Sequence, residues 1–113
     1  MAKIRYSAAA IQDLEVIGDY IASTLKSPIV ALNTVNKIQD AVDKLADFPF
    51  IGPPLSGVVK TETNYRFLVC GNYNVFYHAQ TDSVYISRVL YSRRDYIAIL
   101  FDDAAADEPE QTE

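Results

Sequence analysis

Residues 64–96 read NYRFLVCGNYNVFYHAQTDSVYISRVLYSRRDY, and the fold is decided there. Tyr65 to Cys70 is an apolar, β-prone run, Gly71-Asn72 is a hairpin turn, and Tyr73 to Ala79 is a second run. Thr81-Asp82 makes the next turn and Val84 to Tyr91 the third strand. Turns this short force sequence neighbours to run antiparallel, so the three strands form a meander. Alternation places Tyr73, Val75 and Tyr77 on one face and Asn74, Phe76 and His78 on the other, with apolar groups on both. One face is expected to take helices. The other is then a partly apolar groove open to a partner.

The helices lie upstream. Lys3 to Tyr6 reads as a short strand stopping at Ser7, whose hydroxyl suits a helix N-cap. From Ala8 to about Leu25, the apolar residues Ile11, Leu14, Ile17, Ile21 and Leu25 draw one helical stripe. Asp13, Glu15 and Asp19 fall off that stripe, in the half where the helix dipole favours acids. Ser27 and Pro28 form a second start signal, because proline at the first helical position loses a donor that the helix does not use. The second helix runs to about Asp47, with Ala31, Val35, Ile38, Val42 and Leu45 on one face. Phe48 to Gly57 holds three prolines, which remove three backbone donors, so it reads as a structured loop. The predicted architecture is α+β: an N-terminal strand and a two-helix hairpin packed on one face of a small antiparallel sheet. Tyr96 to Phe101 fits either a final turn of helix or a strand.

With 113 residues the chain supports one domain, assigned to residues 1–101. The formal charge of −5 is unevenly placed. Residues 102–113 carry six acids and no base, whereas residues 1–101 carry ten Lys and Arg against nine acids. The body is near neutral and the tail is expected to be disordered. That balance does not fit a strongly basic nucleic-acid binder. Cys70 stands alone, which excludes a disulfide framework and cysteine-based metal spacing. No signal-peptide pattern or membrane-length apolar run is present, so a cytoplasmic location with no membrane contact is expected.

Candidate chemistry collects at the end of the meander. Arg66, Arg88, Arg93 and Arg94 could clamp phosphates or acidic side chains, and Tyr91 and Tyr96 flank the Arg93-Arg94 pair where they could stack on bases or handle a proton. The plainer reading is a solvated edge with an ion pair to Asp95. His78 is the sole histidine, but the sequence names no second group to make it a general base, so a surface or partner-contact role is favoured. No phosphate loop, metal motif or nucleophile elbow occurs, and no cofactor is expected.

The ordered set of elements resembles the RelE/ParE superfamily, the toxins of type II toxin–antitoxin modules, over roughly residues 3–101. The residues that carry the resemblance are Ala10, Asp13-Leu14, Ile17 and Tyr20-Ile21, then Ala31, Ile38, Leu45, Pro49 and Gly52. In the sheet they are Tyr65-Arg66, Gly71-Asn72-Tyr73, Phe76-Tyr77 and the run from Arg88 to Tyr96. The resemblance implies a growth-arresting toxin neutralised by a cognate antitoxin that wraps its helices and sheet. The antitoxin would contact Asn74, Phe76 and His78 on the open face and would link the toxin to operator DNA only indirectly. RelE-type members cleave messenger RNA on the ribosome with a basic sheet; here Asn74 stands where they typically carry arginine, and Phe67 to Cys70 is apolar. ParE-type members poison DNA gyrase by binding, and the Arg88 to Asp95 run resembles theirs, with Tyr91 at a position that is commonly histidine. A ParE-like toxin contacting its target through Arg66, Arg88, Tyr91, Arg93, Arg94 and Tyr96 is therefore favoured. A ribonuclease using Arg66, Arg88, Tyr91 and Tyr96 is the alternative, and a degenerate toxin that keeps only antitoxin binding is a third reading.

Overall fold

A computed structural model describes residues 1–59 and 62–103. The expected acidic tail therefore lies mostly outside the described residues. The four strands are β1 (Lys3–Tyr6), β2 (Arg66–Cys70), β3 (Tyr73–Ala79) and β4 (Ser83–Tyr91), in the sheet order β1-β4-β3-β2. The meander is antiparallel as its turns require. At the first central position Gly71 takes φ +60°, a conformation that costs glycine little. β1 instead runs parallel to β4, pairing Lys3 with Ser83 and Tyr6 with Ile86, so the sheet is mixed. A tight turn sets direction only between strands it joins. β1 reaches the sheet through both helices, and that crossover lays it parallel.

Helix α1 (Ala8–Asp19) starts at Ser7, whose Oγ accepts from the Ala10 N–H at 2.9 Å. The same hydroxyl donates to the Ser87 carbonyl at 2.7 Å, fastening the helix start to β4. Ser87 is the extra residue of a bulge, since Tyr77 pairs with Ile86 while Phe76 pairs with Arg88. After Asp19 the chain winds as a π-helix over Tyr20–Thr24, and Lys26 turns it at φ 57° into the cap of α2 (Pro28–Asp43). At that cap the Ser27 hydroxyl accepts from the Val30 N–H at 3.3 Å.

Both helices pack on the face that carries Val75, Tyr77, Val84, Ile86 and Val89. The α1 stripe is shifted from the expected one. Ala10, Leu14, Ile17 and Ile21 are buried, whereas Ile11 and Leu25 are 49% and 58% exposed. The π winding places more residues in each turn and rotates Leu25 away from the sheet. In α2, Ala31, Ile38, Val42 and the following Leu45 are buried as expected.

The second face is not open. Leu55 from the proline loop, Tyr65, Phe76, Leu90 and Leu100 form a second core, with Tyr96, Ile99 and Phe101 packed against it. The stretch after Tyr96 is helical, ending in the π-wound turn Ala98–Asp103, and it folds back over the strands. The reason is in the composition: Phe76 and Leu90 are apolar, and the Leu100 and Phe101 side chains are the nearest apolar cover downstream.

Candidate functional site

The arginines expected to share a surface are separated. Arg88 faces α1, where its guanidinium makes a bidentate pair with Asp13: Nε to Oδ2 and Nη2 to Oδ1, both at 2.8 Å. Asp13 Oδ2 also accepts from the Val89 N–H at 2.9 Å, so one carboxylate holds both the side chain and the backbone of β4 just past the bulge. The two side chains are only 25% and 12% exposed. Arg88 thus joins the first helix to the sheet. Asp13 is the structural partner of Arg88 that the sequence reading missed. It looked like a dipole-favoured surface acid, and only its place in the resemblance pattern set it apart.

Arg66 sits at the start of β2 and is tied to the proline loop. Its Nη1 donates to the Gly52 carbonyl at 2.6 Å and the Phe50 carbonyl at 3.2 Å, and its guanidinium lies over the Phe50 ring at 5.0 Å. Beside it the Gly52 N–H donates to the buried Tyr77 Oη at 2.9 Å. Burial raises the Tyr77 pKa, and the phenol stays neutral to accept that bond. A Cβ at Gly52 would lie 2.4 Å from the Phe67 carbonyl oxygen and 2.6 Å from Tyr77 Oη, which only glycine tolerates.

The residues expected to receive the antitoxin are in three different environments. Phe76 is 1% exposed and stacks on Tyr96 at 5.1 Å, so both rings belong to the second core. His78 stacks on Tyr65 at 4.2 Å, and burial lowers its pKa from 6.5. Asn74 is half-buried, between Val69 and Leu90. The expected open face is corrected accordingly: its centre is core, and Tyr96 is packed rather than displayed for a target.

What remains exposed is the end of the sheet where β2 turns into β3 and β4 exits. Tyr91 is 42% exposed, with its ring edge-on to Tyr73 at 5.8 Å. Tyr20, 54% exposed, comes in from the π turn. Burial and then the neighbouring Tyr91 and Tyr20 hydroxyls raise the Tyr73 pKa, so the three phenols cluster and Tyr73 stays protonated near neutrality. Arg93 and Arg94 follow in an exposed turn fixed by its backbone: the Ser92 N–H donates to the Asn72 carbonyl at 2.7 Å and the Arg94 N–H to the Tyr91 carbonyl at 2.9 Å. Among the described residues neither guanidinium has an ion-pair partner. Arg66 lies at the opposite end of β2, four residues or roughly 13 Å away along the strand. Tyr91, Arg93 and Arg94 are brought together with Tyr20 and Tyr73; Arg66 and Arg88 are not.

Chemically this end offers two mobile-charge donors and three phenols to an acidic or aromatic surface, a composition enriched in protein-binding hot spots. Among the described residues no group of three or more His, Cys, Asp or Glu could hold a metal ion. No described helix is long and apolar enough to cross a membrane.

The family model for the ParE toxin of type II toxin–antitoxin systems, parDE, matches residues 4–96. Among solved structures, a chain of the chromosomal ParDE system from P. aeruginosa is similar in fold, with a TM-score of 0.66. It is 21% identical, and the match covers 80% of this chain and 96% of that one. No curated protein matches the sequence.

Proposed function

Because the chain belongs to the ParE toxin family of type II toxin–antitoxin systems, we propose that it arrests growth by binding DNA gyrase and is neutralised by a cognate antitoxin. The contact surface is the exposed sheet end, with Arg93 and Arg94 supplying charge and Tyr91, Tyr73 and Tyr20 supplying aromatic area. The observation that carries a binding mode over ribonuclease chemistry is the bidentate Arg88–Asp13 pair at 2.8 Å. It commits to the fold the arginine that a cleavage mechanism would need at a phosphate, while the loop carbonyls engage Arg66. Asn74 in place of a guanidinium points the same way.

The antitoxin would reach this toxin by a route other than a ready-made groove. Contact with Phe76 requires lifting the Ala98–Asp103 turn, whereas Asn74 and His78 are partly accessible without it. Operator DNA enters only through the antitoxin.

The test is controlled expression of the wild type and of an Arg93→Glu/Arg94→Glu variant, with DNA and protein synthesis pulse-labelled separately. Wild type should block DNA synthesis and induce the DNA-damage response before translation falls, and the variant should lose this while keeping its unfolding midpoint. Immediate loss of translation with messenger cleavage would refute the gyrase reading. No growth defect from the wild type would leave a protein that only binds its antitoxin.

A further inference from the structure

Strand β1 lies at one edge of the sheet, and its outer side is free. The Lys3 N–H donates to the Asp82 carbonyl and the Ser7 N–H to the Ile86 carbonyl, both at 2.9 Å, so the odd-numbered residues are the ones bonded to β4. By alternation the N–H and C=O groups of Ile4 and Tyr6 point the other way, and they have no hydrogen-bond partner among the described residues. One step earlier the same edge is already engaged, since the Ala2 N–H donates to the Ala46 carbonyl at 2.6 Å. Unpaired backbone groups along a strand edge are a template for an added strand.

The side chains along that edge are sorted by charge. Ile4 and Tyr6 pack on the main core, and burial and then the nearby Asp43 carboxylate raise the Tyr6 pKa. Lys3 and Arg5 therefore project to the second face, where both are exposed and neither has an ion-pair partner among the described residues. Arg5 stands opposite Tyr85, which is 46% exposed and adds a phenol to the same strip. Cations two residues apart lie roughly 6.6 Å apart along a strand, the spacing of alternate side chains on a neighbouring strand. A second copy of this chain does not fit. In antiparallel self-pairing centred on Lys3, Ile4 or Arg5, one cation faces another across the pair, which is destabilising. The complement is an extended segment with acids at alternate positions, toward Lys3 and Arg5, and uncharged residues between them, toward Ile4, Tyr6 and the Asp43 carboxylate.

We infer that the outer edge of β1 is a docking site for an extended acidic segment of a partner protein, which adds a strand beside β1 and sets alternate carboxylates against Lys3 and Arg5. The backbone of Ile4 and Tyr6 supplies affinity for an extended chain, and the two cations select the acidic one. The site lies beside the start of β4, whereas Tyr91, Arg93 and Arg94 follow its end, so it does not depend on the proposed target surface.

Isotope-labelled full-length protein titrated with the blocked peptide acetyl-Glu-Val-Glu-Val-Glu-amide tests this by NMR. The amide signals of Ile4 and Tyr6 should shift saturably, and at about ten times Kd their exchange with solvent should slow about tenfold, because only the unoccupied fraction exchanges. The counterpart with lysine in place of glutamate should bind about tenfold more weakly. A Lys3→Glu/Arg5→Glu variant, with an unfolding midpoint matching the wild type, should reverse that preference. The glutamate peptide N-methylated at its valines keeps its charges but loses the donors that face the edge, and it should bind about tenfold more weakly too. No saturable shift at Ile4 and Tyr6, equal binding of the two charge types, unchanged binding of the N-methylated peptide, or shifts centred on Arg93 and Arg94 would each overturn the inference.

Discussion

Replacing Asp13 by alanine should destabilise the fold more than any other single surface-charge change, because one carboxylate accepts three hydrogen bonds at 2.8–2.9 Å. The substitution removes both Arg88 contacts and leaves the Val89 N–H without its acceptor. Breaking a largely buried ion pair costs about 3–5 kcal/mol, and a lost bond to a charged group about 1.5–3 kcal/mol, values that are not additive. Arg88 keeps a quarter of its side chain in solvent and can rehydrate, which places the expected loss near the lower figure, about 3 kcal/mol. At roughly 1–1.5 kcal/mol per molar urea, the unfolding midpoint should fall by about 2 M. Thermal unfolding should move down by about 12 °C at about 4 °C per kcal/mol for a chain of this size. Asp13→Asn retains an acceptor for Val89 and should cost less. A double-mutant cycle of Asp13→Ala with Arg88→Ala should show coupling of about 2 kcal/mol, since removing the second partner relieves the charge left by the first. If Asp13→Ala shifts the midpoint by less than about 0.5 M while Arg88→Ala abolishes toxicity at full stability, Arg88 is a target contact and the argument against cleavage chemistry fails.

Gly52→Ala should cost at least about 3 kcal/mol, because the added carbon meets a backbone carbonyl 2.4 Å away that cannot step aside. Tyr77→Phe, which only removes the acceptor for the Gly52 N–H, should cost about 1–2 kcal/mol; equal losses for the two in urea unfolding would show that the close approach is not what selects glycine. His78 predicts a pH dependence. Burial holds its folded pKa below the unfolded 6.5, so its contribution is complete above pH 6.5 and is lost as the pH falls through the folded value. Urea midpoints measured from about pH 8 to about pH 5 should therefore decline more steeply for wild type than for His78→Gln, and parallel curves would refute a buried neutral imidazole.

The local chemistry of the chain determined most of the elements. Gly71-Asn72 and Thr81-Asp82 dictated the meander, Ser7 and Ser27-Pro28 dictated where the helices begin, and the order of these parts identified the superfamily, because each of these signals acts over a few residues. What surrounds a side chain is set by elements far away in sequence, and there the sequence was silent. Asp13 and Arg88 are 75 residues apart, and the bulge at Ser87 that helps bring them together has no residue signature of its own. Arg66 looked like Arg93 on paper, yet loop carbonyls from residues 50 and 52 engage one, whereas the other stands exposed without an ion-pair partner among the described residues. The direction of β1 and the covering of Phe76 by Leu100 and Tyr96 likewise depended on how the chain crosses and folds back. Sequence alone set the parts and the family; tertiary packing decided which charges are spent on the fold and which remain for a partner.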